Sequence, residues 1–157
     1  MAIDPKRFGT DLKLLNNLDL TKSSRDPPND LFTKVRVETN QVDLDIHSEV
    51  DNLIQALLLR FLTPVGELAL LGHPDYGSRL SELIGELNSE TNRNRAKLFT
   101  LQALQAEPRV KEVRSVDVTQ NRGDPTRMDI KISLLPVDSD TLVNLVFPFF
   151  LERGVEA

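Results

Sequence analysis

The sequence predicts an α+β fold: a single small domain with two main helices packed on an antiparallel three- to four-stranded sheet. Three observations carry that reading. Apolar residues recur at intervals of three and four over Ser48–Leu62 and again over a second stretch ending at Glu107. The period switches from helical to two after Pro108. The strands that follow are joined by turns too short for a parallel crossover. At 157 residues the chain has room for one core and is short for two. The expected organisation is an N-terminal arm over residues 1–30, the α+β domain over 31–151 and a C-terminal tail over 152–157.

Residues 1–30 are polar and broken by Pro5, Gly9, Pro27 and Pro28, with only Leu12, Leu14, Leu15, Leu18 and Leu20 for apolar weight. Such a stretch cannot fold alone but can dock on something. Leu31–Thr39 alternates loosely through Phe32, Val35 and Val37, as a short edge strand would. Over Ser48–Leu62, Val50, Leu53, Ile54, Leu57, Leu58 and Phe61 make one wide apolar stripe. Ser48 stands at the N-cap position, with Glu49 and Asp51 in the first turn, where the helix dipole favours acids. Thr63-Pro64 and Gly66 end the helix and turn the chain.

Glu67–Leu71 is a short apolar run closed by Gly72, His73 and Pro74; Asp75-Tyr76-Gly77 reads as a turn. Ser78 can cap a short helix carrying Leu80, Leu83 and Ile84, interrupted by Gly85, and Asn88–Asn94 reads as a polar connector. The second long helix follows, with Leu98, Leu101 and Leu104 on one stripe beside Phe99, Ala103 and Ala106. It stops at Glu107, because proline lacks the N–H a helix needs and forces the residue before it out of the helical region. Beyond that corner Val116 and Val118 alternate with polar residues. After a turn at Asn121–Thr126, Met128, Ile130, Ile132 and Leu134 alternate cleanly. Leu142–Phe150 is apolar on both faces, which places it inside the sheet or inside an assembly.

Composition excludes several classes of function. A net charge of −5 with a sequence pI near 5.1 offers no clustered cations for phosphates, so nucleic acid is not an expected partner. With no cysteine there is no disulfide framework, thiol nucleophile or thiolate metal site. Nothing at the start resembles the apolar core of a signal peptide, and no apolar run approaches a membrane span. The expectation is a soluble chain made in the cytoplasm, with no membrane partner.

Site chemistry is equally sparse. His47 and His73 have no partner at metal-ligand spacing, and neither a nucleophile elbow nor a phosphate loop occurs. No metal and no cofactor are expected. Glu67, Asp75, Glu82, Glu86 and Glu107 could in principle form a glycosidase pair, but with no Trp and one Tyr the chain lacks the usual aromatic lining of a sugar cleft. Tyr76 is either exposed for recognition or laid across its turn. The corner Glu107-Pro108-Arg109 presents an acid and a base on a stiff turn where two periodicities meet. It reads equally as a helix-end clasp or as an interface in which Arg109 offers its fork of donors to a carboxylate or a helix C-terminus.

Taken together, T-P-V-G-E-L-A-L-L-G-H-P-D-Y-G-S-R-L at 63–80, A-E-P-R-V at 106–110 and the meander ending N-L-V-F-P-F-F-L resemble the baseplate wedge family of contractile phage tails. That family was historically labelled lysozyme-like and extends to type VI secretion and phage-tail-like injection particles. The resemblance runs from about Phe8, where F-G-T-D-L also looks familial, to Phe150. Its most specific part is the ordered set G-E at 66–67, P-D-Y-G at 74–77 and E-P-R at 107–109. The resemblance implies a structural protein, not an enzyme, that sits in a baseplate and initiates sheath assembly. It implies that Glu107, Pro108 and Arg109 engage the helical bundle of wedge proteins. It also implies contact with contractile sheath subunits by strand exchange, which the terminal strand at 142–150 and the N-terminal arm could serve as added edge strands. Leu142, Val143, Asn144, Leu145, Val146 and Phe147 are the candidate contacts. Inner tube or hub proteins are further partners it suggests. The alternative it leaves is a peptidoglycan-hydrolysing muramidase associated with the baseplate.

Overall fold

A computed structural model of the chain describes residues 8–15 and 31–152. The fold is α+β. The order is β1 (Thr10–Leu12), β2 (Thr33–Val35), β3 (Val42–Leu44), β4 (Ile46–Ser48), α1 (Glu49–Leu62), α2 (Glu90–Gln105), β5 (Val110–Gln120), β6 (Arg127–Pro136) and β7 (Val143–Phe150). Two short 3-10 turns, Ala69–Leu71 and Leu80–Leu83, lie between the helices.

The expected meander is present: β5, β6 and β7 form one antiparallel sheet in that order. The register sets Val118 opposite Ile130, and Ile130 opposite Phe147. Met128, Ile130, Ile132 and Leu134 of β6, with Val143, Leu145, Phe147 and Phe149 of β7, therefore point to one buried face. The helices cover that face, α2 along β5 and α1 beside β7. On α1 the anticipated stripe holds: Leu53, Leu57 and Phe61 are buried, and Val50, Ile54 and Leu58 pack at its margin. Phe61 and Phe147 meet ring to ring at 5.4 Å, joining helix to sheet.

The second helix differs from expectation in two ways. It starts at Glu90, so most of the supposed connector is helical; Ser89 caps it by accepting a hydrogen bond from the Asn92 amide at 3.2 Å. Its buried face is Ala96, Phe99, Thr100, Ala103 and Leu104, whereas Leu98 is half exposed. The apolar stripe is narrow because Thr100 takes a core position by donating its hydroxyl to the Ala96 carbonyl at 2.8 Å. Ser48 does occupy the N-cap of α1, but its side chain makes no capping bond.

The expected edge strand at 31–39 is the first arm of a hairpin, with β2 paired to β3. The next residues of the same extended stretch, β4, pair instead with β1. The docking surface of the arm is thereby visible for residues 8–15. Phe8 enters the core, Asn52 donates to the Phe8 carbonyl at 2.7 Å, and Gln55 clasps Leu12 and Leu14 with both ends of its amide. The remainder of the arm, with Leu18, Leu20, Pro27 and Pro28, and residues 153–157 of the tail lie outside the described residues.

Leu142–Phe150 is not enclosed on both sides. Among the described residues β7 is an edge strand, with β6 as its strand neighbour and exposed side chains at Asn144 and Val146. Of the apolar outer positions in 142–150, Pro148 and Phe150 line a cleft, while Leu142 and Val146 are exposed.

Candidate functional site

Two of the three motif segments, P-D-Y-G at 74–77 and E-P-R at 107–109, meet at the C-terminal end of α1, whereas Glu67 of the G-E pair faces a cleft beside β7. Thr63–Val65 runs beside Gly77–Ser78 as a short parallel bridge: Ser78 donates its amide to Thr63 at 2.8 Å, and Val65 donates to the Ser78 carbonyl at 3.1 Å. The Ser78 hydroxyl donates to the Phe61 carbonyl at 2.8 Å, satisfying a helix-end group. Gly77 is required here. Its φ is +116°, and a Cβ would lie 2.9 Å from the Pro64 carbonyl carbon.

That bridge holds Tyr76 with its ring 4.5 Å from the guanidinium carbon of Arg60, on the last turn of α1. Arg60 is buried and reaches across to Glu107, its Nη2 donating to Oε2 at 3.2 Å. Glu107 is only 5% exposed, and its other oxygen, Oε1, accepts from Arg109 Nε at 2.6 Å and from the Arg109 amide at 3.4 Å. Pro108 fixes the intervening turn, which closes with the Val110 amide donating to the Glu107 carbonyl at 3.1 Å. The Arg109 carbonyl accepts from Val137 at 2.9 Å, anchoring the corner to the end of β6. Directly after the corner β5 shifts register twice, between Val110 and Glu112 and between Val113 and Ser115.

Burial works to raise the Glu107 carboxyl. The hydrogen bond and charge of Arg109, followed by those of Arg60, outweigh it and hold the group below the ordinary value of 4.5. The clasp and the presentation of Arg109 thus coexist: Glu107 and Arg60 are committed inward, and the Arg109 side chain remains 32% exposed. Arg60 is the member that sequence reading missed. It sits on the polar flank of an amphipathic helix, where a charged residue normally meets water. Only its place in the last helical turn, before the T-P that ends α1, hinted at a different role.

The strand candidates divide by parity. Leu151 donates its amide to Thr126 on the β6 side at 2.9 Å, so the odd-numbered amides of β7 face β6 and the even-numbered ones face outward. Val143, Leu145 and Phe147 are committed to the core and the ladder. Asn144 and Val146 offer outward backbone groups, and Leu142 is half exposed just before the strand. Pro148 removes the next outward donor.

The remaining expectations fall elsewhere. His47 lies in β4 opposite Asp11, and His73 is exposed in its turn. Among the described residues no group of three or more His, Asp or Glu is placed to hold a metal. Glu82 is taken by Arg79 at 2.7 Å and 3.0 Å. A cleft of about 330 Å3 beside β7 is lined by Phe61, Phe147, Phe149 and Phe150 together with Glu67 and Glu152. Of these rings Phe150 is part-exposed, while Phe61, Phe147 and Phe149 belong to the core; Glu152 adds a carboxylate beyond those named from the sequence.

No helix among the described residues is long and apolar enough to cross a membrane. No model of a known protein family matches the chain, and no curated protein matches it either. Among solved structures, its fold is similar to that of a candidate tail lysozyme from Geobacter sulfurreducens, at a TM-score of 0.57 and 24% sequence identity. The match covers 66% of this chain and 92% of that one. At that identity the likeness is one of fold: both chains are α+β domains of this architecture.

Proposed function

We propose that the chain is a structural, non-enzymatic component of the baseplate of a contractile injection machine, a phage tail or a phage-tail-like particle, and that it initiates sheath assembly. In this reading the corner at Glu107, Pro108 and Arg109 docks on wedge proteins, and the outer edge of β7 receives a strand from a sheath subunit. One observation carries it. Two motif segments, P-D-Y-G at 74–77 and E-P-R at 107–109, meet through Arg60 in a single buried clasp whose outward product is the Arg109 guanidinium. The likeness in fold to a protein described as a candidate tail lysozyme supports a tail-related setting.

The test is assembly. With Arg109→Ala, the chain should fold as before while particles lack it and carry no sheath. Arg109→Lys should rescue only in part, since a point charge cannot reproduce a planar fork. Particles of normal composition and sheath length from Arg109→Ala would remove the docking role.

A second reading, a muramidase, rests on the cleft that places Glu67 and Glu152 beside the part-exposed ring of Phe150. It predicts that purified protein releases reducing sugar from cell walls and that Glu67→Gln abolishes the release. No release from the wild-type protein disposes of it.

A further inference from the structure

We infer that the corner is a receptor for a single carboxylate of the partner protein, and that Arg60 and Tyr76 are the positioning residues that preassemble it. This rests on the docking reading above and gives it a chemistry.

The charge count comes first. The described cluster holds two guanidinium groups, Arg60 and Arg109, around one carboxylate, Glu107. One positive charge is left over, and it resides on the more exposed arginine: side-chain exposure is 10% for Arg60, 5% for Glu107 and 32% for Arg109. Donor accounting then fixes the direction. Arg109 spends Nε and its amide on Glu107, and no bond within the described residues engages Nη1 or Nη2. A ligand therefore approaches end-on, across the two Nη groups, the geometry that a carboxylate satisfies with two parallel bonds. The chain as a whole carries −5, which disfavours a polyanion but leaves one local carboxylate unopposed at this corner.

The inner pair is the second line of argument. For stability alone, an apolar group of equal volume serves a buried site at least as well as an ion pair. Arg60 even leaves its buried Nε without a hydrogen-bond partner. What Arg60 achieves that an apolar side chain does not is to pin Glu107 Oε2, so that Oε1 faces Arg109. Tyr76 covers the Arg60 guanidinium, keeping water from that pair and holding its plane. The chain Tyr76, Arg60, Glu107, Arg109 thus converts a flexible surface arginine into a fixed fork before any partner arrives, lowering the ordering cost of binding.

The test uses the full chain with Arg60→Met, Tyr76→Leu, Arg109→Ala and wild type, each first checked for unchanged amide spectra across β5–β7. The readouts are the mobility of the Arg109 Nε–H by 15N relaxation, its response to sodium acetate against sodium chloride at equal ionic strength, and incorporation into particles. Expected are a rigid Arg109 Nε–H and a saturable acetate response in the wild type. In Arg60→Met and Tyr76→Leu the group should be mobile, the acetate response about threefold or more weaker, and incorporation reduced. If Arg60→Met fails to fold, Tyr76→Leu, at a part-exposed position, carries the same comparison. An Arg109 equally rigid in both variants, or responding to chloride as to acetate, overturns the inference. Should Arg109→Ala assemble normally, the docking reading itself falls. Should Arg109→Ala fail while Arg60→Met and Tyr76→Leu assemble normally with a rigid Arg109, the inference falls and the docking reading stands.

Discussion

Replacing Glu107 by Gln keeps the shape of the side chain and removes its charge, which isolates what the carboxylate does between its two arginines. Arg109 loses a partner but is a third exposed, so water takes over at little cost, as for other accessible pairs worth about 0–1 kcal/mol. Arg60 is the larger loss. It is 10% exposed, its Nε is already unsatisfied, and it would keep its charge with only an amide oxygen opposite. Breaking one side of such a buried pair costs about 3–5 kcal/mol, and the amide's residual acceptor brings the expectation to about 2–4 kcal/mol. For a chain of this size that lowers Tm by roughly 5–15 °C. The pH dependence follows from the sign of the shift. Glu107 has a folded-state value below its ordinary 4.5, so its contribution is complete above that value and is lost as pH falls through the lowered one. Urea unfolding of wild type and variant at pH 7 and at successively lower pH measures the gap, and the other carboxylates cancel in the difference. A gap under about 0.5 kcal/mol at pH 7, or one undiminished in acid, would refute the account of a buried, charge-paired Glu107.

Two further outcomes follow from backbone geometry. Gly77→Ala combines a left-handed φ of +116° with a Cβ 2.9 Å from the Pro64 carbonyl carbon, and should cost about 2–4 kcal/mol by thermal unfolding. It should also loosen the Tyr76 ring over Arg60, read as a changed ring-current shift. Val146→Pro removes an outward amide of β7 and should leave the monomer folded while blocking strand addition; Leu145→Pro removes a ladder amide and should unfold the sheet. Equal effects of the two prolines on monomer stability would contradict the assigned parity.

Much of the fold was legible because periodicity reports burial directly. The β6 alternation of Met128, Ile130, Ile132 and Leu134 is the core face itself, and the α1 stripe meets it through Phe61 and Phe147. Failures came where a polar side chain does an apolar residue's job. Thr100 and Asn92 are buried on α2 because each hydrogen-bonds locally, so counting apolar spacing rotated the predicted stripe toward Leu98 and hid the helix start. The first strands were obscured for another reason. Val42–Leu44 and Ile46–Ser48 are one extended stretch shared between two different partners, the first across a hairpin turn and the second in β1 far back in the sequence, and a remote partner leaves no local signature.

The site failed to read for a related reason: its energy lies in long-range pairs. Glu107 and Arg109 are neighbours, and sequence allowed either a clasp or an interface. Both descriptions hold at once because a carboxylate has two oxygens. Oε2 takes Arg60 from α1, 47 residues away, and Oε1 takes Arg109. A clasp that used both oxygens on one arginine would leave nothing to present, and an interface without Arg60 would present a side chain free to rotate. The structural reason for Pro108 then becomes specific. With Arg109 tied at its amide and Nε to the residue two before it, the turn must bring 107 and 109 to the same side, and a residue with fixed φ does so with little loss of backbone freedom.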